Sequence, residues 1–191
     1  MKTKPITSTA LSAVALALVA GSLSACSTPP PAMGTSSATA SATATSQTSA
    51  RSGDVEKALA FIIEEEKLAY DVYTVLGAKW DLRTMQNIVK SEATHQSRVE
   101  TLLTAYKVTD PRSSAIGVFT NPDLQKLYDD LIAQGSVSAA AAIGVGVLIE
   151  KTDIADIDKM LAQGLPNDLV TVLDVLKSGS INHLAAFERQ Q

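Results

Sequence analysis

Apolar residues along this chain recur at steps of three and four, the spacing of one face of an α-helix. Four long segments carry that pattern. The first spans Asp54 to about Lys79 and offers two seams: Leu59, Ile62, Glu66, Ala69, Tyr73, Leu76, and Ala58, Ile62, Glu65, Ala69, Val72, Leu76. Asp54 suits the cap at its start and Gly77 lies near its end. The second runs from about Leu82 to Lys107 with the seam Met85, Ile88, Glu92, His95, Val99, Leu102, Tyr106. Pro111, Arg112 and two serines break the pattern. Asn121-Pro122 then opens a short helix bearing Leu124, Leu127, Tyr128 and Leu131. Ser136 or Ser138 opens the third long helix, which reaches Gly164 with the seam Ile143, Val147, Glu150, Ile154, Ile157, Leu161. The last spans about Asp168 to Gln190 and presents Leu169, Leu173, Leu176, Ser180, His183, Phe187.

No stretch alternates over the length of a strand, so the pattern predicts an all-α bundle of four long helices and one short one. Links between the first two and the last two long helices suit antiparallel neighbours. The link over about Val108 to Gly135 is longer than bundle loops usually are. It fits a bundle with one crossover connection, with an up-down-up-down bundle as the alternative topology.

Polar residues interrupt every seam. Glu92 and His95 stand together on the second, Glu150 on the third and His183 on the last, with Asp153 one step beside the third-helix seam. On the first helix, periodicity does not separate Glu65 from Glu66. Three adjacent glutamates, Glu64 to Glu66, more often form a solvated run, and at most one or two of them face inward. Ionisable groups in a packed seam are costly unless something satisfies them. Glu66 (or Glu65), Glu92, His95, Glu150, Asp153 and His183 give four carboxylates and two imidazoles from four helices. That is the donor set of a carboxylate-bridged dinuclear metal site in a bundle core, and oxygen with imidazole suits Fe or Mn. Asp156 reads as surface. Gly144 and Gly146 leave room for a close backbone approach.

Composition adds an outer frame. Of 191 residues, 46% are hydrophobic and 4% aromatic, as expected for one domain with extensions. Lys2 and Lys4 precede the apolar run Ala10 to Ala20, which reads as a secretory signal over residues 1–25. Its end, Leu23-Ser24-Ala25-Cys26, resembles the lipobox of bacterial lipoproteins, which implies lipidation at Cys26 and an exported, membrane-anchored protein of the cell envelope. Cys26 is the chain's single cysteine, so no internal disulfide forms. Residues 26–53 are mostly Ser, Thr, Ala, Pro and Gly and read as a flexible tether, with the domain over 54–191. Loss of the signal takes two lysines and no acid, so the formal charge moves from −4 to −6 (14 Lys+Arg against 20 Asp+Glu). Such a surface does not favour nucleic acid as a partner.

Glu66-x-x-Ala69-x-x-x-Tyr73 resembles the first-helix pattern of ferritins and rubrerythrins, in which the glutamate is a metal ligand and the tyrosine packs near the site. That resemblance, and not periodicity, selects Glu66 over Glu65. Glu92-x-x-His95 is similar to the second-helix motif of those families, and Glu150 takes the place of the third-helix glutamate. More narrowly, Glu64 to Tyr73, Ile149 to Ile157 and Gly179 to Leu184 resemble the ferritin-like domain-of-unknown-function family 2202, over the whole of residues 54–191. Ser180 departs from the superfamily pattern, where a carboxylate precedes the last histidine by three. By spacing, Asp153 is placed to supply the sixth ligand. The resemblance implies a ferritin-like four-helix bundle with a di-iron or di-manganese site. It also implies oxidoreductase chemistry on oxygen, peroxide or ferrous iron. Metal holding without turnover and a metal-free interaction bundle are the alternatives.

Overall fold

The structure, a computed structural model, describes residues 39–191, with side chains from residue 52 onward. The signal segment, Cys26 and the first part of the expected tether lie outside the described residues. The described chain forms five helices and no strand: α1 (Thr39–Trp80), α2 (Arg83–Tyr106), α3 (Pro122–Gly135), α4 (Ala139–Leu161) and α5 (Asn167–Glu188).

Helix α1 begins well before Asp54, so Asp54 caps nothing and residues 39–53 of the expected tether are helical. Composition argued against burial there, not against helix. Ala40, Ala42, Ala44 and Ala50 favour it, and a helix already nucleated downstream extends at low cost. The first buried side chain among those described is Val55. Gly77 does not stop α1; it lies inside, where an added Cβ would meet Met85 Cβ at 3.0 Å and keep α2 away. The stop is Asp81, left-handed at φ 51°, with Leu82 N–H donating back to Gly77 O at 3.0 Å. Asn121 caps α3 through Oδ1, which accepts from Asp123 N–H at 2.9 Å. Ser138, not Ser136, caps α4 by accepting from Ala141 N–H.

The buried apolar side chains divide into two clusters. One joins the C-terminal half of α1 (Leu68 to Leu76), the start of α2 (Met85, Ile88), the start of α4 (Ala142 to Ile149) and the end of α5 (Phe187). The other joins the preceding part of α1 (Val55 to Ile63), the end of α2 (Val99 to Leu103), the end of α4 (Ile157, Met160) and the start of α5 (Leu169 to Leu176). From this, α1 runs antiparallel to α2 and α4, whereas α2 and α4 run the same way. The segment between α2 and α4 therefore returns along the length of the helices, and its helix α3 packs on α1 and α4. Between the two clusters all four long helices are polar.

That returning segment corrects one expectation. All three of Glu64, Glu65 and Glu66 are buried, because α1 is covered on its outer face as well as its inner one. Glu64 accepts from the backbone N–H groups of Thr120 and Asn121. Lys67 pairs with Asp71 and donates to Ala115 O, while Asp71 accepts from Gly117 N–H. Lys67 also stands 4.6 Å over the Phe119 ring.

Candidate metal centre

On each long helix the polar residues fall between the two apolar clusters, so those of all four helices meet at one level. Glu66, Glu92, His95, Glu150, Asp153, Ser180 and His183 are all buried. The Nδ1 atom of His95 lies 3.1 Å from Glu66 Oε2 and 3.0 Å from Glu92 Oε2. The Nδ1 atom of His183 lies 2.9 Å from Glu92 Oε1 and 3.6 Å from Glu150 Oε1. Two triads result, Glu66–Glu92–His95 and Glu92–Glu150–His183, each with ligand atoms within 4.8 Å of one another. Glu92 belongs to both, one oxygen to each. The two imidazoles stack with centroids 5.6 Å apart.

Hydrogen bonding leaves the level incomplete. Among the described residues, five buried side-chain atoms have no hydrogen-bond partner: Glu65 Oε2, Glu66 Oε1, Glu92 Oε1, Asp153 Oδ1 and His183 Nδ1. Glu92 Oε1 and His183 Nδ1 lie 2.9 Å apart as an ion pair but are not aligned as a hydrogen bond. Native interiors rarely leave such groups unpaired, since each costs about 1–3 kcal/mol. Glu65, Glu66, Glu92 and Asp153, but not His183, line a cavity of about 20 Å³, near the room one water needs. It is lined by Glu65, Glu66, Glu92, Glu150, Asp153 and Ser180, with no lysine or arginine, and it reaches outward past Leu127 and the 44% exposed Leu148.

Charge follows from that crowding. Burial first, then Asp153 and Glu92, push the Glu66 carboxyl well above the usual range; burial, Asp153 and Asp156 do the same to Glu65. Burial raises Glu150 to about 7 and Asp153 to about 6, against the opposing pull of His183 and Ser180 respectively. At Glu92 burial is outweighed by the two imidazoles, which bring it down to about 2. Burial opposes the His183 cation, but Glu150 and Glu92 outweigh it and raise the ring to about 10. The bare level thus stores protons that a cation would displace.

Of the residues expected from sequence, the structure brings Glu66, Glu92, His95, Glu150 and His183 into the two triads. Asp153 lines the same cavity but stands outside both. Its Oδ2 contacts the Ser180 hydroxyl, so Ser180 is a holder of Asp153 and not merely a missing carboxylate. Glu65 also faces the cavity outside the triads. Tyr73, buried completely, donates to Glu150 Oε1 at 2.7 Å and fixes that carboxylate.

Gly179 was not legible as a site residue. A Cβ there would lie 2.5 Å from Cε1 and Nε2 of His95, so only glycine lets the ring sit with Nδ1 toward the carboxylates. Gly146 similarly makes room for the Phe187 ring rather than for a backbone, and Gly144 has nothing within 4 Å.

Comparison with known proteins gives a family and no activity. The sequence pattern of an uncharacterized protein domain, DUF2202, matches residues 55–191. The uncharacterized protein MJ0754 of Methanocaldococcus jannaschii is 42% identical over 139 residues, which cover 72% of this chain and 75% of the relative. The crystal structure of hypothetical protein MJ0754 superposes with a TM-score of 0.69 at 42% identity, over 71% of this chain and 78% of that one. The chain belongs to the DUF2202 family.

Proposed function

We propose that this DUF2202 protein is a metal-binding protein of ferritin-like architecture whose polar level holds a pair of Fe or Mn ions. In this reading α1, α2, α4 and α5 are the four helices of the bundle, and the segment bearing α3 is its crossover. One observation carries the metal reading: two carboxylate–imidazole triads share Glu92 inside a level that leaves five buried polar atoms unpartnered. Protein groups alone leave that arrangement costly, whereas cations would offset the buried negative charge.

Glu66 and His95 would hold one ion, Glu150 and His183 the other, with Glu92 between them and Asp153 on the same cavity. Oxygen and imidazole donors suit Fe or Mn, which would supply redox chemistry toward oxygen, peroxide or ferrous iron. The chain's own contribution is placement. Tyr73 orients Glu150, Ser180 orients Asp153, and Gly179 admits His95. The cavity beside these residues has room for about one water. The same smallness favours a second reading, an envelope metal buffer without turnover, which would consume neither oxygen nor peroxide in its ferrous form. Lipidation at Cys26 would hold either protein at the membrane.

Metal analysis of protein purified without a histidine tag tests the proposal. About two equivalents of Fe or Mn are expected after reconstitution, and less than about one equivalent overturns it. Glu92→Ala and His183→Ala should lower the content far more than Glu64→Ala.

A further inference from the structure

Glu66 and His95 come from different helices, and a third element holds the two at their meeting point. Gln96, 9% exposed, directly follows His95 on α2. Its Nε2 donates to the Glu66 carbonyl oxygen on α1 at 3.5 Å, and its Oε1 accepts from Arg112 Nη1 at 2.6 Å. Arg112 belongs to the returning segment between α2 and α3, and Asp110 and Glu100 accept from its other donors. One line of hydrogen bonds therefore runs from the returning segment across α2 to the turn of α1 that carries Glu66. Nothing equivalent reaches the other triad. Among the described residues, Glu150 and His183 have no hydrogen bond or ion pair with the returning segment, and Tyr73 orients Glu150 instead.

We propose that Arg112 and Gln96 are positioning residues for the ion held by Glu66 and His95, so that this ion alone depends on the returning segment. Arg112 can only donate, so it fixes the Gln96 amide with Oε1 toward itself and Nε2 toward the Glu66 carbonyl. An amide freed of that constraint can turn, which brings two oxygens face to face. The charge-assisted contact of Arg112 with Gln96 is the strong link. The 3.5 Å contact of Gln96 with Glu66 is at the long limit of a hydrogen bond and depends most on the amide being held. Metal affinity follows how closely the ligands are held in place, and loss of a partner behind them costs roughly 10- to 100-fold. The two positions of the pair are thus unequal: the returning segment supports one and Tyr73 the other.

This role rests on the paired-ion reading, and one titration separates the two. Tag-free full-length protein is titrated with Mn²⁺ and the free ion is followed by electron paramagnetic resonance, for wild type, Arg112→Met, Arg112→Lys, Gln96→Leu and Glu100→Gln. The side chains of Asp110 and Glu100 are 39% and 49% exposed, so Arg112→Met leaves no buried carboxylate behind and should fold. Wild type should bind two ions tightly. Arg112→Met and Gln96→Leu should each keep one at wild-type affinity and bind the other roughly 10- to 100-fold more weakly. Arg112→Lys, which keeps a cationic donor, should recover part of that loss. Glu100→Gln, which spares the Gln96 contact, should match wild type. Added to His183→Ala, which leaves the Glu66–His95 position, Arg112→Met should weaken the remaining ion; added to His95→Ala, it should change nothing. Unchanged binding of both ions in Arg112→Met and Gln96→Leu would overturn the role and leave the pair intact. Equal weakening of both ions would overturn it too, as a general loosening of the bundle. Less than about one equivalent in wild type would remove the pair, and this role with it.

Discussion

Helix α1 buries polar side chains on two faces within a few residues, and the faces are finished differently. On the outer face Glu64, Lys67 and Asp71 meet the returning segment, and no buried polar atom of theirs lacks a partner among the described residues. On the inner face Glu65 and Glu66 join Glu92, Asp153 and His183, and each of these five leaves one atom unpartnered. Both sides bury carboxylates to a similar degree, though only the outer face carries a lysine and only the inner one a histidine. The difference is whether the protein alone closes the hydrogen bonding, which is what separates a structural network from a site that takes something in.

Breaking the outer network should therefore damage folding without touching metal. Lys67→Met leaves Asp71 buried with no cation, and its cost should be about 3–5 kcal/mol. Denaturant unfolding measures that loss, while metal per folded chain should stay at the wild-type value. A loss of metal at unchanged stability would mean the two faces are not separate.

The inner face should respond to pH in the opposite sense to an ordinary acidic protein. Glu150 at about 7 and Asp153 at about 6 lie above their unfolded values, as do Glu65 and Glu66. The folded state then binds more protons than the unfolded one, so stability falls as pH rises through those values. His183, raised to about 10, acts in the same direction: its contribution is complete below the unfolded value and is lost as pH climbs through 10. Glu92, at about 2, contributes a constant amount above pH 5. Metal-free protein should gain on the order of 2 kcal/mol between pH 8 and pH 5.5. Reloaded protein should lose stability over the same interval, because protons compete with the ion. Parallel slopes for the two forms would remove the distinction between the faces.

A smaller effect sharpens the comparison within the inner face. Tyr73→Phe removes the donor to Glu150 and should cost about 1 kcal/mol in metal-free protein. In reloaded protein the carboxylate has another partner, so the cost should shrink. Equal costs in the two forms would place Glu150 outside metal binding.

The inner face was largely legible in the sequence, because α2 and α5 bury one face each. All six seam positions of α5 are buried, and only Tyr106 of the α2 seam is not. On α4 the phase was slightly off: Asp153 and Met160 are buried, whereas Ile154 and Leu161 are half-buried. The outer face was not legible. Periodicity assumes one covered side per helix, and α1 acquires its second cover from residues some fifty positions away, Thr120 and Asn121 on Glu64. The three-glutamate run carried no mark of that long-range pairing. Ser180 read as a departure from the superfamily pattern and Gly179 carried no signal; their meaning lies in Asp153 and His95, on other helices.

The melting temperature of the protein with and without metal, at one pH and with Mn²⁺ or Fe²⁺ at about a hundredfold excess over Kd, bears most directly on the inner face. Linkage sets the expected gain at about 2.7 kcal/mol for one ion, a rise on the order of 10 °C on reloading and an equal fall on chelation. An unchanged melting temperature would contradict a metal-held core and leave a bundle whose buried carboxylates are satisfied by protons alone.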